Sequence, residues 1–288
     1  MAAKAAGSVD GVMVAVAQVG ATVGDVEANL ILADRYAGRA ARRGAQLIVF
    51  PECFVQGYSV RREVLDLAEP VDGPAVGRLG AIAKRRGIAI VAGMIERNDA
   101  DPRRPFNTAV VLDASGHLAG SYRKTHLFEG ERDAFAAGDA YPVFPVSLGS
   151  GPRAPTLHVG VCICRDIEFP EVGRLLALGG AQLIAVPSAD MEPWRAQQAA
   201  NLVCRAIENN LYVALANTVD RRRSVVFFGG SGVAGPDGVV VSAGYGRPRL
   251  VTTTLRDAAV AASGGADSYL DARRLETYGG LLAPASRG

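Results

Sequence analysis

Cysteine is scarce in this chain. Four thiols, Cys53, Cys162, Cys164 and Cys204, in 288 residues do not make a disulfide framework, so a reducing cytoplasm is expected. Histidine is scarcer, at three residues, which leaves a Cys-x-Cys metal pair at 162 and 164 with a poor ligand set. No apolar run approaches the length of a membrane span, so no membrane association is expected. The opening MAAKAAGSVDG has no apolar h-region; residues 1–10 read as a flexible lead-in without a secretory signal. Charge of one sign is also lacking. Thirty-one basic residues face 29 acidic ones, for a formal net charge of +2. No basic stripe with interleaved aromatics occurs, which argues against nucleic acid as a partner. The densest basic run, Arg221–Arg223, reads as a solvated turn between two strand-like segments.

The chain is rich instead in aliphatic bulk. Hydrophobic residues make up 49% of it, enough for a large core without covalent staples. Apolar runs alternate with helical periodicity. Strands are expected over 12–19, 45–52, 88–96, 157–164, 181–188 and 212–219, with a hairpin over 107–124 turning at Ser115-Gly116. Further strands and hairpins are expected over 224–244 and 250–257. Helices are expected from Asp25 to Gly44, over 75–87, over 171–180 and over 193–210, the last with proline at its entry. Residues between 124 and 157 read as a long loop, and 258–288 as a tail lying over the surface or a partner.

One internal echo organises the rest. RRGAQLIVFPE (42–52) and LGGAQLIAVPS (178–188) share Gly-Ala-Gln-Leu-Ile at the same place between helix and strand. They read as two related βαβ units within one domain covering 1–288. In open α/β sheets ligands lie beyond the C-terminal strand ends. Here those ends are Pro51-Glu52, Cys164-Arg165-Asp166 and Pro187-Ser188, so Glu52 and Cys164 are expected at one crevice.

Each candidate has two readings when taken alone. Cys164, at a strand end facing a helix N-terminus, is either a packed thiol or a reactive one of lowered pKa. Cys162 lies earlier in the strand, where small cysteines pack. Glu52 is either a surface carboxylate or one held in a cleft, its pKa raised towards that of a general base. Lys124, among Tyr122, His126, Leu127 and Phe128, is either solvated or a partly buried cation that lowers the cysteine pKa and neutralises an oxyanion. Glu131 could hold Lys124 in place. His126 offers a Cys–His dyad, a weaker choice while Glu52 can act as base.

Taken together, FPE at 50–52, YRKTHLF at 122–128 and CRDIEFPE at 164–171 resemble the nitrilase, or carbon–nitrogen hydrolase, superfamily. The resemblance runs from the first strand to GGSGVAGPDG, and VPSADMEPW and CRAIENNLYVALAN are similar to its amidase branches. It implies an α/β fold, a four-layer α-β-β-α sandwich, that assembles through a helical face into a homodimer or larger homo-oligomer. It implies Cys164 as nucleophile, Glu52 as general base, Lys124 as oxyanion partner and Glu131 as the supporting glutamate. No metal or organic cofactor is required. The pattern departs at Arg165-Asp166. Amidase members commonly carry an aromatic residue directly after the cysteine and nitrile-cleaving members Trp-Glu, so a nitrilase in the strict sense is disfavoured.

Arg165 either pairs with Asp166 or Glu168, the favoured reading, or meets a substrate carboxylate or carbamoyl oxygen. Glu192 either binds a substrate amino group or starts the following helix, where an acid suits the dipole. Trp194 and Phe54 are expected to line an apolar wall. The expected substrate is a small aliphatic amide, with or without an amine, with an N-carbamoyl amine or amino acid next. Transfer of the acyl group to an amine, or a non-catalytic binding role, is the reading from a different class.

Overall fold

The computed structural model describes residues 8, 10–151, 154–222, 225–257 and 269–282. The lead-in before Ser8, Arg223 of the basic run and the tail segments 258–268 and 283–288 lie outside the described residues. Among the described residues no helix is long and apolar enough to cross a membrane.

The apolar runs form two six-stranded sheets. The first is built from β1 (Met13–Gln18), β2 (Leu47–Val49), β3 (Ala89–Glu96), β4 (Phe106–Leu112), β5 (Leu118–Arg123) and, from the far end of the chain, β14 (Arg249–Thr254). The second holds β6 (Val143–Ser147), β7 (Thr156–Val161), β8 (Leu183–Ser188), β9 (Tyr212–Asn217), β12 (Gly232–Ala234) and β13 (Val240–Ser242). Their orders are β14-β1-β2-β3-β4-β5 and β13-β12-β9-β8-β7-β6. A small ribbon pairs β10 (Val219–Arg221) with β11 (Val226–Phe228). In each large sheet the central pairings are parallel, β1-β2-β3 and β7-β8-β9. The Gly-Ala-Gln-Leu-Ile echo falls at the entry to β2 and to β8, the equivalent strands of the two units.

Strands covered on both faces need no polar positions, and alternation then sorts side chains between two cores. Val14, Val16, Leu47, Val49, Val159, Val161 and Ala185 meet between the sheets. Ala15, Ala17, Ile48 and Ile90 face outward, onto α1 (Val26–Arg42) and α3 (Pro74–Arg86). Cys162, Ile184, Val213 and Leu215 face onto α5 (Pro170–Leu178) and α6 (Arg195–Asn209). The layers are therefore helix, sheet, sheet, helix.

Asp25 caps α1 by accepting Ala28 N at 2.9 Å, and Gly87, at φ 61°, closes α3 in the left-handed region that suits glycine. The expected loop between β5 and β7 holds two elements instead. α4 (Glu131–Ala134) is a single turn, and β6 pairs antiparallel with β7. β6 is an edge strand, so Pro145 within it costs no ladder bond on the solvent side. A further short helix, α2 (Arg62–Leu65), lies between β2 and α3.

Candidate active site

The C-terminal ends of the central strands meet where the two sheets abut: Glu52 N donates to Ser188 O at 3.4 Å. Beyond β2 the chain turns sharply, with Cys53 at φ 46°, and swings Glu52 inward to 1% exposure. Gly93 permits this. A Cβ there would lie 2.4 Å from Cys53 N and 2.7 Å from Glu52 Cα. Glu52 Oε1 accepts from Lys124 Nζ and from Asn107 Nδ2, both at 2.7 Å. Its Oε2 is buried without a partner.

Lys124 follows β5 and is fully buried. Its ammonium also donates to both oxygens of Glu131, at 3.0 and 2.8 Å. Glu131 opens α4 and accepts Phe128 N at 2.7 Å, which ties the loop to the lysine. A buried ammonium between two carboxylates satisfies the rule that interior charges are paired.

Cys164 sits just past β7 at the start of a 3-10 turn, Cys164–Glu168. Its φ is 47°, the left-handed region that a residue with a Cβ seldom enters. Buried Asp166 holds that turn. Its Oδ2 accepts Ile163 N at 2.9 Å and the Tyr122 hydroxyl at 2.7 Å, and its Oδ1 accepts His126 N at 2.8 Å and the Thr125 hydroxyl at 3.0 Å. One carboxylate thus ties the cysteine turn to the segment just beyond Lys124. The thiol donates to Asp190 Oδ1 at 3.2 Å. Asp190 lies two residues beyond β8. Its Oδ2 accepts the Ser188 hydroxyl at 2.9 Å, and its N donates to Asn217 Oδ1 at 2.8 Å. The cleft above the thiol is lined by Tyr58, Phe128, Arg165, Asp190, Met191 and Trp194.

Burial sets the electrostatics. It pushes the Glu52 carboxyl up to about 7, helped by Glu131 and opposed by Lys124. For Lys124 burial acts against the charge, yet Glu52 and Glu131 override it and hold the ammonium well above its ordinary value. The Cys164 thiol is pushed well up by burial and by the carboxylates of Asp190 and Glu52, with Lys124 opposing. Of the two readings of Cys164, the one with a thiol pKa lowered by a helix N-terminus is not met: the direction is upward. Cys164 opens a tight 3-10 turn rather than a long helix, and acids outnumber the one cation around the sulfur.

Other expectations are corrected by position. Phe54 is not a cleft wall: its ring is fully buried and packs on Phe50 in the core under α1 and α3, centroids 4.8 Å apart. The Glu192 carboxylate turns to Arg195, one helical turn on, and is not among the cleft-lining side chains. Trp194 does line the cleft, 40% exposed. Arg165 pairs with Glu168 at 3.6 Å and lies over the Phe128 ring at 5.5 Å, while Asp166 points inward away from it. His126 stacks on Phe169 at 3.8 Å and bonds Asp166, so it forms no dyad with the cysteine. Cys162 packs against the α5–α6 layer. Sequence reasoning misses the places that Asn107, Asp166 and Asp190 take at the site. The usable signal for Asp190 is its position just past the third convergent strand end.

A partly buried thiol beside a buried carboxyl and a buried ammonium, at the ends of parallel strands, is the arrangement of a cysteine hydrolase site. The chain belongs to the carbon–nitrogen hydrolase family, whose model matches residues 13–263, and it is a hydrolase of carbon–nitrogen bonds other than peptide bonds. It is 35% identical to an (R)-stereoselective amidase of Pseudomonas sp, over 81% of each chain. It is 36% identical to a nitrilase of Pyrococcus abyssi, over 80% of this chain and 84% of that one. A crystal structure of an amidase from Nesterenkonia sp. superposes with a TM-score of 0.81 at 32% identity, covering 97% of this chain and 99% of that one. A glutamate-to-glutamine variant of that amidase carries the acetamide moiety of fluoroacetamide covalently on its active-site cysteine.

Proposed function

We propose that the protein is a thiol amidase that hydrolyses a small aliphatic amide, with or without an amine, to the acid and ammonia through a thioester on Cys164. The observation that carries this reading is the Glu52–Lys124–Glu131 cluster beside the thiol, with one Glu52 oxygen left unbonded. An amide is a poor electrophile with a poor leaving group. The site must therefore supply nucleophile, proton carrier and oxyanion partner together.

Cys164 sulfur attacks the carbonyl carbon while its proton passes to Glu52. Negative charge develops on the carbonyl oxygen, where Lys124 and the backbone N–H after Cys164 receive it. The Glu131 carboxylate, on both of whose oxygens the ammonium rests, keeps Lys124 charged for this role. Glu52 then protonates the leaving nitrogen and ammonia departs, leaving the thioester. Water enters, gives a proton to Glu52, and the acid is released with the thiol restored. A carboxyl at about 7 suits both directions of transfer near neutral pH. The residues after Cys164, Arg165-Asp166, support amide over nitrile chemistry. The exposed Leu175 and Leu178 on α5, the former beside Tyr278 and Leu281, support a homo-oligomer joined through that helical face.

The test is ammonia release from a panel of amides, N-carbamoyl amines and nitriles, with Cys164→Ala as blank. Release from small amides that vanishes in the blank is expected. Release from carbamoyl compounds alone would move the substrate class. Silence with water but product with an added amine would make the protein an acyltransferase.

A further inference from the structure

Hydrolysis as proposed uses Glu52, Lys124 and Glu131, yet the group that touches the nucleophile is a third acid. Asp190 Oδ1 lies 3.2 Å from Cys164 Sγ. Among the described residues its carboxylate accepts only from a thiol and a hydroxyl, those of Cys164 and Ser188. The other charged groups on the cleft wall, Arg165 and Glu168, pair with each other, and Arg165 also covers the Phe128 ring. Among the described residues this carboxylate has no ion-pair partner, although buried Lys124 attracts it from further off, and aromatic walls from Tyr58 and Trp194 stand beside it. Its backbone is fixed by buried Asn217, which accepts Asp190 N at 2.8 Å and donates to Asp190 O at 3.1 Å.

We propose that Asp190 selects the substrate by taking the ammonium of an amide whose amine is on the carbon next to the reacting carbonyl. The inference rests on the amidase reading and names its substrate class, the α-amino amides. The geometry limits where the amine can sit. A carbonyl carbon poised for attack stands about 3–3.5 Å from the sulfur. An ammonium on the adjacent carbon lies about 2.5 Å from that carbonyl carbon, by ordinary bond lengths and angle. It can therefore reach Asp190 Oδ1 while the carbonyl faces the sulfur. An amine several carbons further out overshoots it.

Binding then does a second thing. The ammonium replaces the S–H donor on Asp190 Oδ1, which frees the thiol to turn to Glu52. The S–H proton goes to the Glu52 carboxylate as the S–C bond forms, and the carbonyl π pair moves to oxygen. The ammonium and Asp190 keep their charges throughout.

Alaninamide and isobutyramide have the same shape and differ by ammonium against methyl. At pH 7 the wild type should favour alaninamide in kcat/KM by about tenfold or more, the range of a charge-assisted hydrogen bond. In Asp190→Asn that ratio should fall about tenfold, whichever way the absolute rates move. A wild-type ratio near one, or a ratio unmoved in the variant, overturns the proposal; the latter would leave Asp190 as a positioning residue for the thiol. The wild-type ratio stands as a test even if the variant does not fold. A second readout needs no turnover: alkylation of Cys164, followed by mass on its own peptide, with 2-bromoethylammonium against neutral iodoacetamide. The cationic reagent should lose about tenfold in relative rate in Asp190→Asn. If that shift occurs but no amide is cleaved, the amidase reading fails and the cation site stands. If amides are cleaved and neither ratio shifts, the cation site alone fails.

Discussion

Glu52→Gln separates the chemistry of the site from its stability. Three charged side chains, Glu52, Lys124 and Glu131, are buried to 1% exposure or less. With all three ionised the cluster carries one excess negative charge. Burial lifts the Glu52 carboxyl from its ordinary 4.5 to about 7, so the folded protein holds this proton more tightly than the unfolded chain does. The contribution of Glu52 to stability is therefore fully present below about 4.5 and declines as pH rises to about 7. Glutamine is the uncharged isostere. Its oxygen can keep the bonds from Lys124 and Asn107, while its NH2 replaces the unpartnered Oε2. The midpoint of thermal unfolding at pH 6 should stay within about 4 °C of wild type, since roughly 1 kcal/mol moves a protein of this size by about 2–4 °C. Between pH 5 and pH 8 the variant should gain on the wild type, because it has no carboxyl to ionise.

Turnover should move the other way. A positioned general base is worth about 10²–10⁴-fold, and the variant has none. In the wild type the base must be ionised, so kcat/KM should fall about tenfold per unit below pH 7. At pH 6 about a tenth of the plateau should remain. The assay is ammonia release across pH 5–9 for both proteins, with calorimetry on the same samples. A variant within about threefold of wild-type kcat/KM would refute the assignment of Glu52 as base. An acid limb near pH 7 that survives in the variant would show that another group sets it.

Lys124→Met should fail on both counts. It leaves Glu52 and Glu131 buried without a cation, a change that costs about 3–5 kcal/mol, and it removes an oxyanion donor worth about 10²–10³ in kcat. Urea unfolding at pH 8 and pH 5.5 should show the deficit shrinking at the lower pH, where Glu52 takes up a proton; wild-type stability at pH 8 would refute the pairing. Cys162→Ala removes a buried thiol from the layer beneath α5 and α6 and should cost about 1 kcal/mol. Its ammonia release should stay within about threefold of wild type, and a loss as deep as that of Cys164→Ala would end the assignment of a single nucleophile.

Much of the layering is legible because both sheets are covered by helices. Their strands read as unbroken apolar runs and their helices carry one apolar stripe, so period alone separates the two. β6 escapes that reading because Pro145 stands inside it, and only its edge position makes that tolerable. At the site the strand-end rule leads to Glu52, Cys164 and the 187–188 end, which do lie together at the abutting sheet ends. The failures come where the chain leaves its strands. After Glu52 the left-handed Cys53 breaks the alternation, and Phe54 turns into the core beside Phe50. After β8 the side chains of Ser188 and Asp190 share a face, which carries Asp190 to the thiol and leaves Glu192 to its helix neighbour Arg195. Neither turn is written in hydrophobic period. Each depends on backbone conformations settled by tertiary packing.

If Cys164 is the nucleophile, the charge count around the sulfur says when it can act. Glu52, Glu131 and Asp190 surround it with three carboxyls, and Lys124 is the one buried cation of the cluster. Such a site does not favour a resting thiolate, since the sulfur would add a further negative charge where burial and Asp190 already oppose it. A cysteine beside an imidazolium is activated before substrate arrives; here His126 is engaged with Asp166 and Phe169 instead. In the proposed mechanism the proton therefore leaves the sulfur as the S–C bond forms, when charge moves from sulfur onto the carbonyl oxygen and towards Lys124. Glu52, with its carboxyl near 7 and one oxygen unbonded, is the acceptor that the proposal assigns to take the proton at that moment and return it to the leaving nitrogen. The uneven charge of the cluster is thus consistent with catalysis. It keeps the thiol neutral and protonated until a carbonyl is present to receive the electrons.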